Sequence, residues 1–149
     1  MAIARGAGTE IIRCASFSDV DSTQTTLIVG VQHHIYTVLS IIIHTLTVVA
    51  DDNFYVRLDG WDSKGAASGA GHILFRWFMP GVNETFVWNG KFSFNGYEPT
   101  GFSGALSTEA EQIALATQDG GAAQNLVCGT GGATTNTEVI ITYIDQNNE

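Results

Sequence analysis

The chain has 149 residues, of which 44% are hydrophobic and 14% charged, with a formal net charge of −9. That length suits one domain with room for a real core, and that hydrophobic share excludes wholesale disorder. The six basic residues, Arg5, Arg13, Arg57, Lys64, Arg76 and Lys91, are dispersed, which argues against direct nucleic-acid binding and against an anionic membrane surface, since both need clustered Lys and Arg.

The low charge, against about 25% in an ordinary globular chain, leaves much of the surface to Thr, Ser, Asn, Gly and apolar groups. It also lowers the usual barrier to self-association. Met1–Gly8 has one Arg among small residues and lacks the apolar centre of a signal peptide. The longest apolar stretch, Ile35–Ala50, is interrupted by Thr37, Ser40, His44, Thr45 and Thr47. It is too short and too polar for a membrane helix, which needs about 20 residues. A soluble protein made in a cytoplasm is the expectation.

In chain order, residues 1–9 carry Gly6 and Gly8 without periodicity and read as an N-terminal arm, leaving residues 10–149 as one domain. Glu10–Phe17 is a strand candidate, Ser18–Thr26 a polar loop, and Leu27–Val31 a short apolar run. Ile35–Val49 is the strongest strand signal, rich in the stiff branched side chains that suit a pleated surface. Its apolar residues fall on both parities: Val38, Ile42, Leu46 and Val48 on one, Leu39, Ile41, Ile43 and Val49 on the other. Such a strand is covered on both faces, or it twists or bulges midway. Asp51-Asp52-Asn53 then reads as a turn, and Phe54–Trp61 as a half-buried alternating strand.

After the loop Asp62–Gly71 comes a strand at His72–Met79, stopped by Pro80-Gly81. Glu84–Phe94 alternates with Asn89-Gly90 inside it, a dipeptide suited to a tight hairpin with Lys91–Phe94 as the return strand. Asn95–Gly104 reads as loop. Ser107–Thr117 is the one helix candidate, with Thr108 and Glu111 at capping-box spacing. Leu126–Cys128 and Glu138–Ile144 are the last strands, and Asp145–Glu149 a polar tail. About eight strands and one short helix point to an all-β fold, an antiparallel β-sandwich or jelly roll.

Candidate chemistry is sparse. His33-His34 are adjacent on a strand and point to opposite faces, so they read as a polar edge rather than a chelate. His44 reads as a satisfied core or interface histidine, and no Cys joins any His in a zinc pattern. Asp19, Asp21 and Asp51-Asp52-Asn53 could supply oxygens to calcium but lack a distal Glu, and turn chemistry is the plainer reading. The glycine-rich stretches Gly65–Gly71 and Gly129–Gly132 lack a phosphate-loop ending, and no Ser sits in a nucleophile elbow. Cys14 and Cys128 read as buried thiols, with a disulfide open only if their strands pair. The expectation is no catalysis, no metal and no cofactor.

The aromatics are more informative. Trp77 and Phe78 sit on opposite parities, so one of the pair can anchor a contact. Trp61 or Trp88 could instead stack a sugar ring. The candidate assembly residues are Ala2, Ile3 and Arg5 of the arm, Leu39, Ile41 and Ile43 of the doubly apolar strand, and Trp77 and Phe78.

The runs IYTVLSIII at Ile35–Ile43, MPGVNETFVWNGKFSFNGYEP at Met79–Pro99 and VIITYIDQN at Val139–Asn147 together resemble small β-sandwich virion proteins of tailed bacteriophages, particularly head decoration (cement) proteins. The step Pro80-Gly81-Val82-Asn83-Glu84-Thr85 is two residues longer here than the compact family form. The resemblance implies a homotrimer on the outside of a phage head, bound to the major capsid protein and stabilising the shell through many weak contacts. A tail adaptor or fibre-associated virion protein and a carbohydrate-binding module are the alternatives.

Overall fold

The computed structural model describes residues 8–60, 71–98, 107–117 and 121–148. Residues 1–7, with Ala2, Ile3 and Arg5 among them, residues 61–70, with Trp61 among them, and residues 99–106, 118–120 and 149 lie outside the described residues. Nine strands and one helix follow in order: β1 Thr9–Val20, β2 Thr25–Ile28, β3 His34–Thr47, β4 Asn53–Asp59, β5 Gly71–Phe78, β6 Thr85–Trp88, β7 Phe92–Asn95, α1 Glu109–Thr117, β8 Asn125–Thr130 and β9 Asn136–Asn147.

They form two antiparallel sheets. The first runs β1-β9-β3-β6, with β7 also paired to β3; the second runs β2-β8-β4-β5. With β6 and β7 filling one strand position, this is the eight-position order of a jelly roll, and the fold expected from strand spacing is the one observed. The inner faces meet over Val38, Ile41, Ile43, Val139 and Ile141 from the first sheet and Phe54, Val56, Leu58, Leu126 and Cys128 from the second.

A bulge explains why β3 is apolar on both parities. Val38 pairs with Tyr143 while Ser40 pairs with the next residue, Thr142, so Leu39 is an extra residue in the ladder. Before it, Tyr36 and Val38 point inward; after it, Ile41, Ile43 and Thr45 do. One insertion therefore swaps the buried parity. The opposing strand is interrupted at the same level. Trp88 pairs with Ile41 and Phe92 with Val38, so residues 89–91 face the two residues Leu39 and Ser40.

The hairpin expected at Asn89-Gly90 does not form. β6 and β7 both run antiparallel to β3 and lie end to end along it. The Trp88 indole lies over Gly90, where a Cβ would collide with the ring. Glycine at this position thus accommodates an aromatic rather than a reversing turn.

Aromatic rings close the open side of the sandwich between β5 and β6. Phe75 stacks on Trp88 with centroids 5.1 Å apart, and Trp77 stacks on Phe86 at 5.1 Å. Phe92 meets Trp88 edge-on and stacks on Phe94, which in turn contacts Tyr36. At one end of the sandwich the β2–β3 and β7–β8 connections cross backbone to backbone. A Cβ on Gly30 would meet the Gly96 and Gln124 main chains, and one on Gly96 would meet that of Val31. The Gln124 N–H donates to the Gly96 carbonyl at 2.9 Å, and Gly30 N–H to Asn125 Oδ1 at 2.9 Å.

Several boundaries move: β1 runs on to Val20 and β2 begins at Thr25, both inside the expected loop Ser18–Thr26, and β8 covers Asn125–Thr130 rather than Leu126–Cys128. The residues expected as a polar tail extend β9 to Asn147, because Asp145 is buried in an ion pair and Asn148 N–H reaches the His33 carbonyl. β1 starts at Thr9, inside the expected arm, paired with Asn147. Helix α1 is capped as its sequence predicts: Thr108 Oγ1 accepts from Glu111 N–H at 3.2 Å, and Glu111 Oε2 accepts from Thr108 N–H at 3.0 Å. Those hydrogen bonds hold the Glu111 carboxyl below its ordinary range.

Candidate functional site

Residues directly opposite in an antiparallel ladder share a face, so the register reads out the outer surface of the first sheet row by row. One row is Ile12–Ile144–Thr37–Ser93, the next Cys14–Thr142–Ser40, and the next Ser16–Ile140–Ile42–Val87. Glu10–Gln146–Ile35–Asn95 bounds these rows at one end and Glu138–His44–Thr85 at the other. The paired residues of the three central rows are uncharged, and exposed Lys91 stands beside the middle row, between β6 and β7. Ile12 is 70% exposed, Val87 47% and Ile140 39%, and Cys14 is exposed.

Three pairs of polar groups on this face meet one another along the rows. Thr142 Oγ1 donates to Cys14 Sγ at 3.7 Å, Thr37 and Ser93 share a hydroxyl hydrogen bond of 2.8 Å, and His44 Nδ1 meets Thr85 Oγ1 at 3.0 Å. A surface whose donors are already engaged loses little when water leaves it. Large exposed apolar area of this kind marks protein contact in soluble domains.

The expected assembly residues divide. Ile41 and Ile43 are fully buried in the core, because the Leu39 bulge turns their parity toward the second sheet. The outward residue there is Ile42. Leu39 is half-buried at the bulge itself. Trp77 points inward and stacks on Phe86, whereas Phe78 is 68% exposed on the second sheet's edge strand. Trp88, one of the two proposed sugar platforms, stacks on Phe75, meets Phe92 at a steep angle and has Gly90 against its indole.

The outward isoleucines Ile12, Ile140 and Ile144 were missed. The signal existed: Val139–Ile141 is apolar on both parities just as β3 is, but β9 carries no bulge there, so Ile140 faces out between buried Val139 and Ile141. Cys14 was expected to be buried and is not; it lies on the outer face of β1, while Cys128 sits in the core of the other sheet. Burial pushes the Cys128 thiol up to about 12. The two strands do not pair, and both thiols are free.

A second polar cluster lies on the inner side, at the end where β1 begins. Asp145 accepts from Arg13 Nε at 2.8 Å and meets His34 Nδ1 at 2.6 Å. Burial, the largest single influence, opposes ionisation of Asp145, but the hydrogen bonds from His34 and Arg13 together outweigh it and hold the carboxyl below its ordinary range. Burial, reinforced by the Asp145 charge, pushes the neighbouring Tyr36 phenol up to about 12. The cluster ties three strands together.

The aspartates considered for calcium serve turns. Asp21 Oδ1 accepts from Thr23 N–H at 2.6 Å, Asp19 Oδ1 from Asn136 Nδ2 at 3.0 Å, and Asp52 Oδ2 from Gly132 N–H at 2.9 Å. No group of three or more His, Cys, Asp or Glu side chains converges for a metal among the described residues. No helix of the described residues is long and apolar enough to cross a membrane.

No family model matches the chain, and no curated protein matches it. Among solved structures, one similar chain comes from the endospore appendages of Bacillus, described as forming a novel family of disulfide-linked pili. It is 10% identical, with a TM-score of 0.42, over 100% of this chain and 97% of that one. A likeness at that level carries no functional weight.

Proposed function

We propose that this protein is a structural subunit that works by binding other protein subunits and not by catalysis. Its setting is the virion of a tailed bacteriophage, as a decoration (cement) protein on the outer surface of the head, in contact with the major capsid protein. One observation carries the first statement: the outer face of the five-stranded sheet is exposed, uncharged across the paired residues of its three central rows, and internally hydrogen-bonded. The setting rests on the sequence resemblance. The dispersed basic residues and net charge of −9 fit a protein contact better than one with packaged nucleic acid.

The test is to add the purified chain to phage heads lacking their decoration layer and to count bound copies. Hundreds per particle are expected. A dozen or fewer, placed at the portal or along the tail, would move the protein to the tail. Absence of binding to any particle would remove the virion reading. The sugar-binding reading loses ground at Trp88, which already stacks on Phe75.

A further inference from the structure

We infer that the outer face of the β1-β9-β3-β6/β7 sheet is covered, in the working protein, by a second copy of this chain. The inference rests on the subunit-binding reading above and names the partner for this face. Three observations carry it.

The first is area. β1 and β9 are each 12 residues long. Four strand positions spaced at ~4.8 Å and rising ~3.3 Å per residue make a face of roughly 40 by 19 Å, or about 760 Å². A stable interface of ordinary size covers about 800 Å² on each partner. The full face, bounding rows included, approaches that size, and the three uncharged rows make roughly half of it and would form the centre of the contact.

The second is charge. Each copy carries −9, so two copies repel at long range. The centre of the contact must then be made where no like charge is brought in. The paired residues of the three central rows meet that condition, with Glu10 and Glu138 kept to the bounding rows and Lys91 at the interruption between β6 and β7. A cationic partner would be expected to meet acidic groups within the patch, and none stand there. A neutral surface is complementary to another copy of itself.

The third is satisfaction of polar groups. Thr142 with Cys14, Thr37 with Ser93, and His44 with Thr85 are already paired within one copy. Covering these pairs breaks no hydrogen bond within the copy, so less of the apolar gain from residues such as Ile12, Ile140 and Val87 is lost to desolvation. Two such faces can pack as sheets do in a sandwich, about 10 Å apart.

The experiment is sedimentation velocity on the full chain across the micromolar range, comparing wild type with Ile12→Glu, Val87→Lys and Arg76→Glu. Ile12 and Val87 are exposed, so both changes leave the core intact, and melting curves check this. Arg76 is exposed on the second sheet and serves as the control. Wild type is expected to self-associate, the two face variants to weaken association at least tenfold, and the control to match wild type.

A monomeric wild type overturns the inference, and so does association that survives both face variants undiminished. Cys14 gives an independent readout. Its labelling by a maleimide should be slow in the associated wild type and faster on dilution or in Ile12→Glu, with Cys128 unlabelled throughout; rapid labelling in the associated state overturns the inference. If shells bind the chain while self-association fails, this inference alone falls. If self-association holds while shells are ignored, the phage-head setting falls and the face keeps its partner.

Discussion

The two sheets share one core but present different outer faces. The second sheet carries Arg57 at the centre of its face, with Nε and Nη2 donating to Asp59 at 2.6 and 2.8 Å and Nη2 to Gln24 at 3.0 Å. Arg76 stands opposite Tyr55 on the neighbouring strand. Phe78 and Ile73 add exposed apolar area only along its edge strand. The first sheet has isoleucine, valine, threonine and serine where the second has guanidinium and carboxylate. Both faces satisfy their polar groups, yet by different means. Ion pairs keep a strongly hydrated charge at the surface, whereas short hydroxyl pairs leave a surface that gives up water readily. The difference separates a face suited to solvent from one suited to a partner.

Several changes would break or sharpen that contrast. The largest effect is expected from Ile43→Asp, which places a carboxylate at a fully buried apolar position, so the chain should fail to fold cooperatively, as seen by loss of a sharp thermal transition. Deleting Leu39 removes only the bulged residue and leaves Tyr36, Val38, Ile41 and Ile43 all facing inward. Next is the pair Ile41→Ala and Ile42→Ala. The first empties core volume and should cost about 2–5 kcal/mol in chemical denaturation. The second, one residue away on the outer face, should cost under about 1 kcal/mol and instead weaken self-association.

Asp145→Ala should cost about 1.5–3 kcal/mol, since it strands Arg13 and His34. The same group predicts a pH dependence. Its carboxyl is held below the ordinary range in the folded state, so its stabilisation is complete above roughly pH 4 and is lost as pH falls through the lower folded value. Melting temperature against pH should therefore drop less steeply on the acid side in Asp145→Asn than in wild type.

Self-association should tighten as salt rises, because screening relieves the like charges while the neutral face contributes no ion pair to lose. Weakening with salt would mean that a charged surface makes the contact. Smallest of all, Arg57→Ala should change stability by under about 1 kcal/mol and leave association untouched, because its ion pair is partly solvated.

How much of this was legible beforehand depends on the range of the interaction involved. Strand positions followed from local pattern: Phe54, Val56 and Leu58 alternate and are all buried. The helix start at Thr108–Glu111 was equally local. The β6–β7 hairpin was misread because Asn-Gly favours a reversing turn only when nothing else competes, and here pairing with β3 and the Trp88 ring decided otherwise. The Arg13–Asp145 contact joins residues 132 positions apart, and no local signal marks it.

Sequence by itself determined the class of fold and the doubly apolar character of Ile35–Val49, since these depend on side-chain type and short-range period. Only the tertiary structure decided which isoleucines are core and which are surface. That choice turns on one bulged residue in β3 and on the registry of β9 between two neighbours. A period-two pattern records alternation, but not which of the two faces meets the other sheet.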